Sequence, residues 1–173
     1  SVRKELSIRT IFNILGPLTH PAGATMQGLG VYEKELVEPL IEVLKNVGVK
    51  SAMSVYGLDG MDEISASDKT FVCELKDGKT MSYEISPEYF GMDMVSKEDL
   101  IGGDSKENAK ITLDILKGER GPKRNAVLLN AAAGLYVAGK VENLRDGVEM
   151  AEEIIDSGKA LKQLERFVEV TNR

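Results

Sequence analysis

MQGLGVYEKELVEPLIEVLKNVGVKSAMSVY, residues 26 to 56, is the stretch on which the fold turns. Met26 to Val31 reads as a short strand. Glu33 to Lys45 places Leu36, Val37, Leu40, Ile41 and Leu44 on one face, with Glu35, Glu38, Glu42 and Lys45 elsewhere. That spacing is an amphipathic helix. Asn46 and Gly48 supply its stop, and Ser51 to Tyr56 follows as a second apolar strand. Strand, helix, strand is the βαβ unit, which implies a parallel pair.

Working outward, Phe71 to Leu75 and Thr80 to Ile85 flank Lys76-Asp77-Gly78-Lys79. Asp-Gly between two apolar runs is a type I′ hairpin signal, so an antiparallel hairpin follows the βαβ unit. From Asp104 onward the pattern is helical, over about 105–117, 122–138, 143–157 and a last helix to about 169, with Gly118, Gly139 and Gly158 as punctuation. Asp104 with Glu107 resembles the start of a capping box. Upstream, Val2 to Leu15 has helical spacing, and Gly16-Pro17 ends it because proline cannot continue the ladder. No repeat or low-complexity tract interrupts the chain. The expectation is one α/β domain over residues 1–173, with a mixed, mainly parallel sheet, an antiparallel hairpin and flanking helices.

Composition excludes several classes. The 173 residues are 42% hydrophobic and 29% charged, as in an ordinary globular protein. No apolar run approaches the roughly 18 residues of a membrane span. Ser1-Val2-Arg3-Lys4-Glu5 is charged and amphipathic, unlike a signal peptide. Twenty-two basic against 28 acidic residues give a net charge of −6. The basic residues are interleaved with acids rather than gathered on a face, so no nucleic-acid partner is expected. Cys73 is the single cysteine and excludes an internal disulfide; a buried, inert thiol is the reading. His20 is the single histidine and has no partner motif. The expected compartment is the cytoplasm. The chain starts without Met and directly in helix-like sequence, which leads us to expect a piece of a longer protein.

Tyr56-Gly57-Leu58-Asp59-Gly60-Met61-Asp62-Glu63-Ile64-Ser65 carries the most chemistry. A strand ends there and a loop with three carboxylates follows, at the end of an α/β sheet where ligands collect. In a loop, Asp62 and Glu63 can both turn toward one ion. Mg²⁺ takes one or two carboxylates and completes its shell with water and phosphate oxygens. A solvated surface turn is the plainer reading of the same residues. Arg3 and Arg9, on a helix leading into Gly16-Pro17, offer a guanidinium fork for a carboxylate, or else a solvated helix face. Gly102-Gly103-Asp104 lacks the spacing of a phosphate loop and reads as a capping turn.

Arg9-Thr10-Ile11-Phe12-Asn13-Ile14-Leu15-Gly16-Pro17-Leu18-Thr19 and the Tyr56–Ser65 stretch resemble the signature of the anthranilate phosphoribosyltransferases. Pro87 to Gly91, Gly102 to Ala109, Leu128 to Ala132 and Ile155 to Ala160 continue the similarity in family order. The resemblance implies transfer of phosphoribosyl from phosphoribosyl pyrophosphate to anthranilate, with release of pyrophosphate, in tryptophan biosynthesis. It implies the α/β domain of the nucleoside phosphorylase type of fold. It also implies a Mg²⁺ held by Asp62 and Glu63, anthranilate contacted by Arg3, and a tunnel lined by Gly16 and Pro17. No covalent or acid/base residue is assigned. The family's helical dimerisation domain and Gly-rich pyrophosphate loop would precede Ser1, so the whole enzyme is expected to be a homodimer and this chain alone to be inactive. His20 departs from the family's usual Asn. A relative with another acceptor and a non-catalytic binding paralogue are the alternatives; Arg3 and the Asp62-Glu63 pair oppose them.

Overall fold

A computed structural model describes Leu18 and residues 23–172. The first sequence-read helix, with Arg3, Gly16, Pro17 and His20, lies outside those residues. Four strands form one sheet: β1 (Met26–Gly30), β2 (Ser51–Gly57), β3 (Thr70–Lys76) and β4 (Lys79–Ile85). Their order is sequential, and β1 pairs with β2 in parallel, as the βαβ pattern requires. β2–β3 and β3–β4 are both antiparallel. The sheet is therefore mixed, but among the described strands it is not mainly parallel. The connection from β2 to β3 returns at the same end of the sheet, and that reverses the strand. The β3–β4 turn is tight, with positive φ at Asp77 (51°) and Gly78 (74°), the two left-handed residues that a type I′ turn needs.

Helix α1 (Val37–Asn46) covers one face of the sheet. A 3-10 turn at Lys34–Leu36 precedes it, so the regular helix starts later than the apolar periodicity suggests. Pro39 accounts for this: in the first turn its missing N–H costs nothing, whereas deeper in a helix it would break the ladder. Val37, Leu40, Ile41 and Leu44 are buried against Ala52, Cys73 and Leu75. Each such side chain contributes about 2 kcal/mol of transfer free energy.

The opposite face carries the helices α2 (Lys97–Leu100), α3 (Ser105–Leu116), α4 (Pro122–Val137), α5 (Leu144–Asp156) and α6 (Lys159–Thr171). The period of two along the strands sorts the residues between layers. Ala52 and Cys73 face α1, while Met53, Val55 and Val72 join Leu128, Leu129, Ala132, Val148 and Ala151 in the second core. α4 and α5 pack closely. The Gly147 backbone lies so near α4 that an added Cβ would stand 2.9 Å from the Ala132 carbonyl oxygen. At the head of α4, Arg124 is 2% exposed. Its Nη2 lies 2.6 Å from Asp156 and 3.6 Å from Glu152 of α5.

Candidate functional site

Parallel β1 and β2 end at the same edge of the sheet, at Gly30 and Gly57. The loop from Leu58 to Lys69 rises from that edge, where α/β sheets bind their ligands. Two approaches shape its base. A Cβ on Gly30 would come within 1.6 Å of the Asp62 carbonyl oxygen. The end of β1 therefore forms the floor beneath Asp62, and only glycine fits there. At Gly57 a Cβ would meet the Asp59 Oδ1 at 2.6 Å.

The three carboxylates of the loop have separate roles. Asp59 is used internally: its Oδ2 accepts from the Ser65 hydroxyl at 2.7 Å and the Ser67 hydroxyl at 2.5 Å, and its Oδ1 from the Met61 N–H at 3.3 Å. Burial opposes its ionisation, but those three bonds and the Lys97 charge outweigh burial and hold its carboxyl below the usual range. Lys97, on α2, donates to the Asp59 carbonyl oxygen. The Ser65 hydroxyl in turn accepts from the backbone N–H groups of Ser67 (3.0 Å) and Asp68 (3.1 Å). Asp59 is thus the hub that fixes the loop's shape.

Asp62 and Glu63 remain. Asp62 is exposed and Glu63 half-buried. Neither accepts a hydrogen bond or joins an ion pair among the described residues. Burial pushes the Glu63 carboxyl up, and the charges of Asp62 and Asp59 add to the shift. Two adjacent carboxylates, one half-buried and both unpartnered, have the character of a divalent-cation site that relies on substrate and water for its other ligands. No group of three or more His, Cys, Asp or Glu side chains among the described residues forms a fuller cage. The residues present therefore fit Mg²⁺ in its two-carboxylate mode. Glu63 also lines an open cleft of about 800 Å³ with Met61, Asn108, Thr112, Lys123 and Asn130.

The Gly102-Gly103-Asp104 turn closes on itself. Asp104 caps α3 by accepting from the N–H groups of Lys106 and Glu107, both at 2.9 Å. Asn108, rather than Glu107, makes the return contacts, to the Gly103 N–H (2.9 Å) and carbonyl (3.0 Å). The capping reading holds, with a different partner. A complete capping box stands instead at Ser96 and Asp99, before α2. Lone Cys73 is buried, as expected.

Sequence reading missed Gly30, Lys97 and Asn130, since each reaches the loop from a distant element. Asn130 stood within the Leu128–Ala132 stretch of the family resemblance, but nothing in that stretch tied it to the loop.

Residues 1–161 match the glycosyl transferase family, a/b domain. The chain belongs to this family. Among curated members it is 72% identical to an anthranilate phosphoribosyltransferase from Methanobrevibacter smithii, over 99% of the chain and 51% of that protein. The crystal structure of anthranilate phosphoribosyltransferase from Thermus thermophilus superposes with a TM-score of 0.88 at 41% identity, covering 99% of this chain and 51% of that one. The Saccharomyces cerevisiae enzyme has been solved with PRPP and Mg (TM-score 0.84, 34% identity) and with 4-fluoroanthranilate (0.85, 33%); each covers 97% of this chain and 49% of that one. The chain spans about half the length of the curated relatives it matches. The likeness of this family member to anthranilate phosphoribosyltransferases, read first from short motifs, thus extends over nearly the whole chain.

Proposed function

We propose that the chain is the α/β part of an anthranilate phosphoribosyltransferase, a longer enzyme of tryptophan biosynthesis. It joins the anthranilate amino group to the ribose of phosphoribosyl pyrophosphate and releases pyrophosphate. The observation that carries this reading is the free Asp62-Glu63 pair on a loop fixed by Asp59, in a chain so similar to enzymes of that name.

Asp62 and Glu63 are the residues that would hold Mg²⁺. When bound, the ion neutralises charge developing on the leaving pyrophosphate. The pair's task is to hold that charge at one place, and the Asp59 network keeps the backbone from adjusting as the reaction proceeds. Arg3 grips the anthranilate carboxylate, and Gly16 and Pro17 line its path. The weakly basic aniline nitrogen attacks a ribose carbon that becomes cation-like. No covalent nucleophile is required, so positioning of the two substrates carries much of the rate. The whole enzyme works as a homodimer in the cytoplasm. Among the described residues no helix is long and apolar enough to cross a membrane.

The test is loss of anthranilate fluorescence when phosphoribosyl pyrophosphate and Mg²⁺ are added to the intact protein. Magnesium-dependent loss supports the assignment; no loss from a folded protein removes it. Arg3→Ala is expected to raise the KM for anthranilate with a smaller change in kcat, and an unchanged KM would take Arg3 out of the site.

A further inference from the structure

We infer that Asn130, on α4, is a positioning residue for the Asp62-Glu63 pair; this rests on the reading of that pair as the metal site. The side-chain amide of Asn130 meets the backbone of Ile64, the residue immediately after Glu63, from both sides. Its Oδ1 accepts from the Ile64 N–H at 2.9 Å, and its Nδ2 donates to the Ile64 carbonyl at 2.9 Å. The same Nδ2 donates to the Ala126 carbonyl one turn earlier on α4, at 3.0 Å. One amide thereby stands in for a neighbouring strand, satisfying both backbone groups of a buried loop residue that no strand reaches.

Geometry makes this more than a structural tie. The Ile64 side chain is 2% exposed and belongs to the helical core, so Ile64 is anchored at both backbone and side chain. Gly30 closes against the Asp62 carbonyl from the other direction. Asp62 and Glu63 lie between these two clamps, with carboxylates that have no hydrogen-bond partners of their own among the described residues. Their direction is therefore set by the backbone, and Asn130 sets the backbone on the Glu63 side. Asn130 is also half-buried at the wall of the cleft that Glu63 lines. Groups behind a metal's own ligands commonly govern its affinity by orienting them, with losses of roughly 10- to 100-fold when they are removed.

The experiment measures the Mg²⁺ dissociation constant of the intact enzyme by calorimetry with pyrophosphate present, for Asn130→Ala, Asn130→Asp, Leu129→Ala and Asp62→Asn. The Mg²⁺ concentration giving half-maximal turnover is measured alongside it and should move with it. Asn130→Ala is expected to raise both roughly tenfold or more, with the KM for anthranilate unchanged. Asn130→Asp keeps the size and the acceptor for the Ile64 N–H but loses both donor bonds. It should shift the Mg²⁺ requirement in the same direction, and serves if the alanine variant does not fold. Leu129→Ala, a core truncation one residue away, should lower the melting temperature and leave the Mg²⁺ requirement as it was. If the Asn130 variants shift it no more than Leu129→Ala while Asp62→Asn does shift it, Asn130 is only structural and the inference is overturned. If Asp62→Asn itself leaves the Mg²⁺ response unchanged, the metal pair falls, and the inference with it.

Discussion

Asp59, Asp62 and Glu63 sit within five residues and look alike in sequence, yet only Asp59 is taken up by hydrogen bonds within the loop. The difference lies in the serines at 65 and 67, whose hydroxyls occupy Asp59 and leave nothing for its neighbours. Asp62→Asn with Glu63→Gln is expected to lower Mg²⁺-dependent turnover by orders of magnitude while leaving the melting temperature near wild type, as removal of unpartnered carboxylates should. Gly30→Ala acts on the same site from below. Its methyl would overlap the Asp62 carbonyl, so we expect a loss of about 2 kcal/mol in chemical denaturation together with a weaker Mg²⁺ response. At Cys73, burial raises the thiol pKa against the lowering effect of a hydrogen bond with Ser82, and Glu38, Glu42 and Glu74 add to the rise. The thiol stays protonated at neutral pH, and thiolate is the reactive form. Alkylation should therefore be slow in the native protein, rise with pH, and become fast in denaturant. The proposal of Asp62 and Glu63 could be made from sequence because a carboxylate pair after a strand is a local pattern. That of Asn130 could not, because in its own helix it is one polar residue in Leu128-Leu129-Asn130-Ala131-Ala132, and its partner lies 66 positions away.

Secondary structure was largely legible for the same reason: it is written in periodicity and punctuation over short distances. The expected helix at 122–138 is observed at Pro122–Val137, and that at 143–157 at Leu144–Asp156. What local patterns did not carry was direction. Nothing within Phe71 to Leu75 says that this strand runs against β2, since the loop before it decides that. The short α2, too brief for a period to register, also escaped. Between elements, the buried Arg124 grips Asp156 and Glu152 and fastens α4 to α5. Asp156→Ala leaves that guanidinium short of its nearest partner and is expected to cost about 3 kcal/mol, the low end for breaking a buried pair, because Asp156 is itself partly exposed. Arg124→Met in the same background should recover much of the loss in a double-mutant cycle. Failure to recover it would mean that the arginine also packs in a way that methionine cannot replace.

Across the whole molecule, the sheet divides two cores, and the loop bearing Asp62 and Glu63 anchors Ile64 and Ala66 in the helical one while resting on the end of β1. With a net charge of −6 and no segregated basic face in the sequence, the intact chain is expected to leave duplex DNA unshifted in a gel even at low salt. A shift that weakens as salt rises would favour a binding paralogue. The clamps on Ile64 and Asp62 also bear on the order in which the chain acquires its shape. Gly30 can press on Asp62 only after the parallel β1–β2 pair has closed across α1, and Asn130 can reach Ile64 only once α4 has docked. Contacts between residues so far apart in sequence come late, because the entropy of closing the intervening chain must be met first. The geometry around the carboxylate pair is therefore among the last features expected to form on folding, and a partly folded chain can be compact, helical and well paired in its hairpin before Asp62 and Glu63 have been brought to their places.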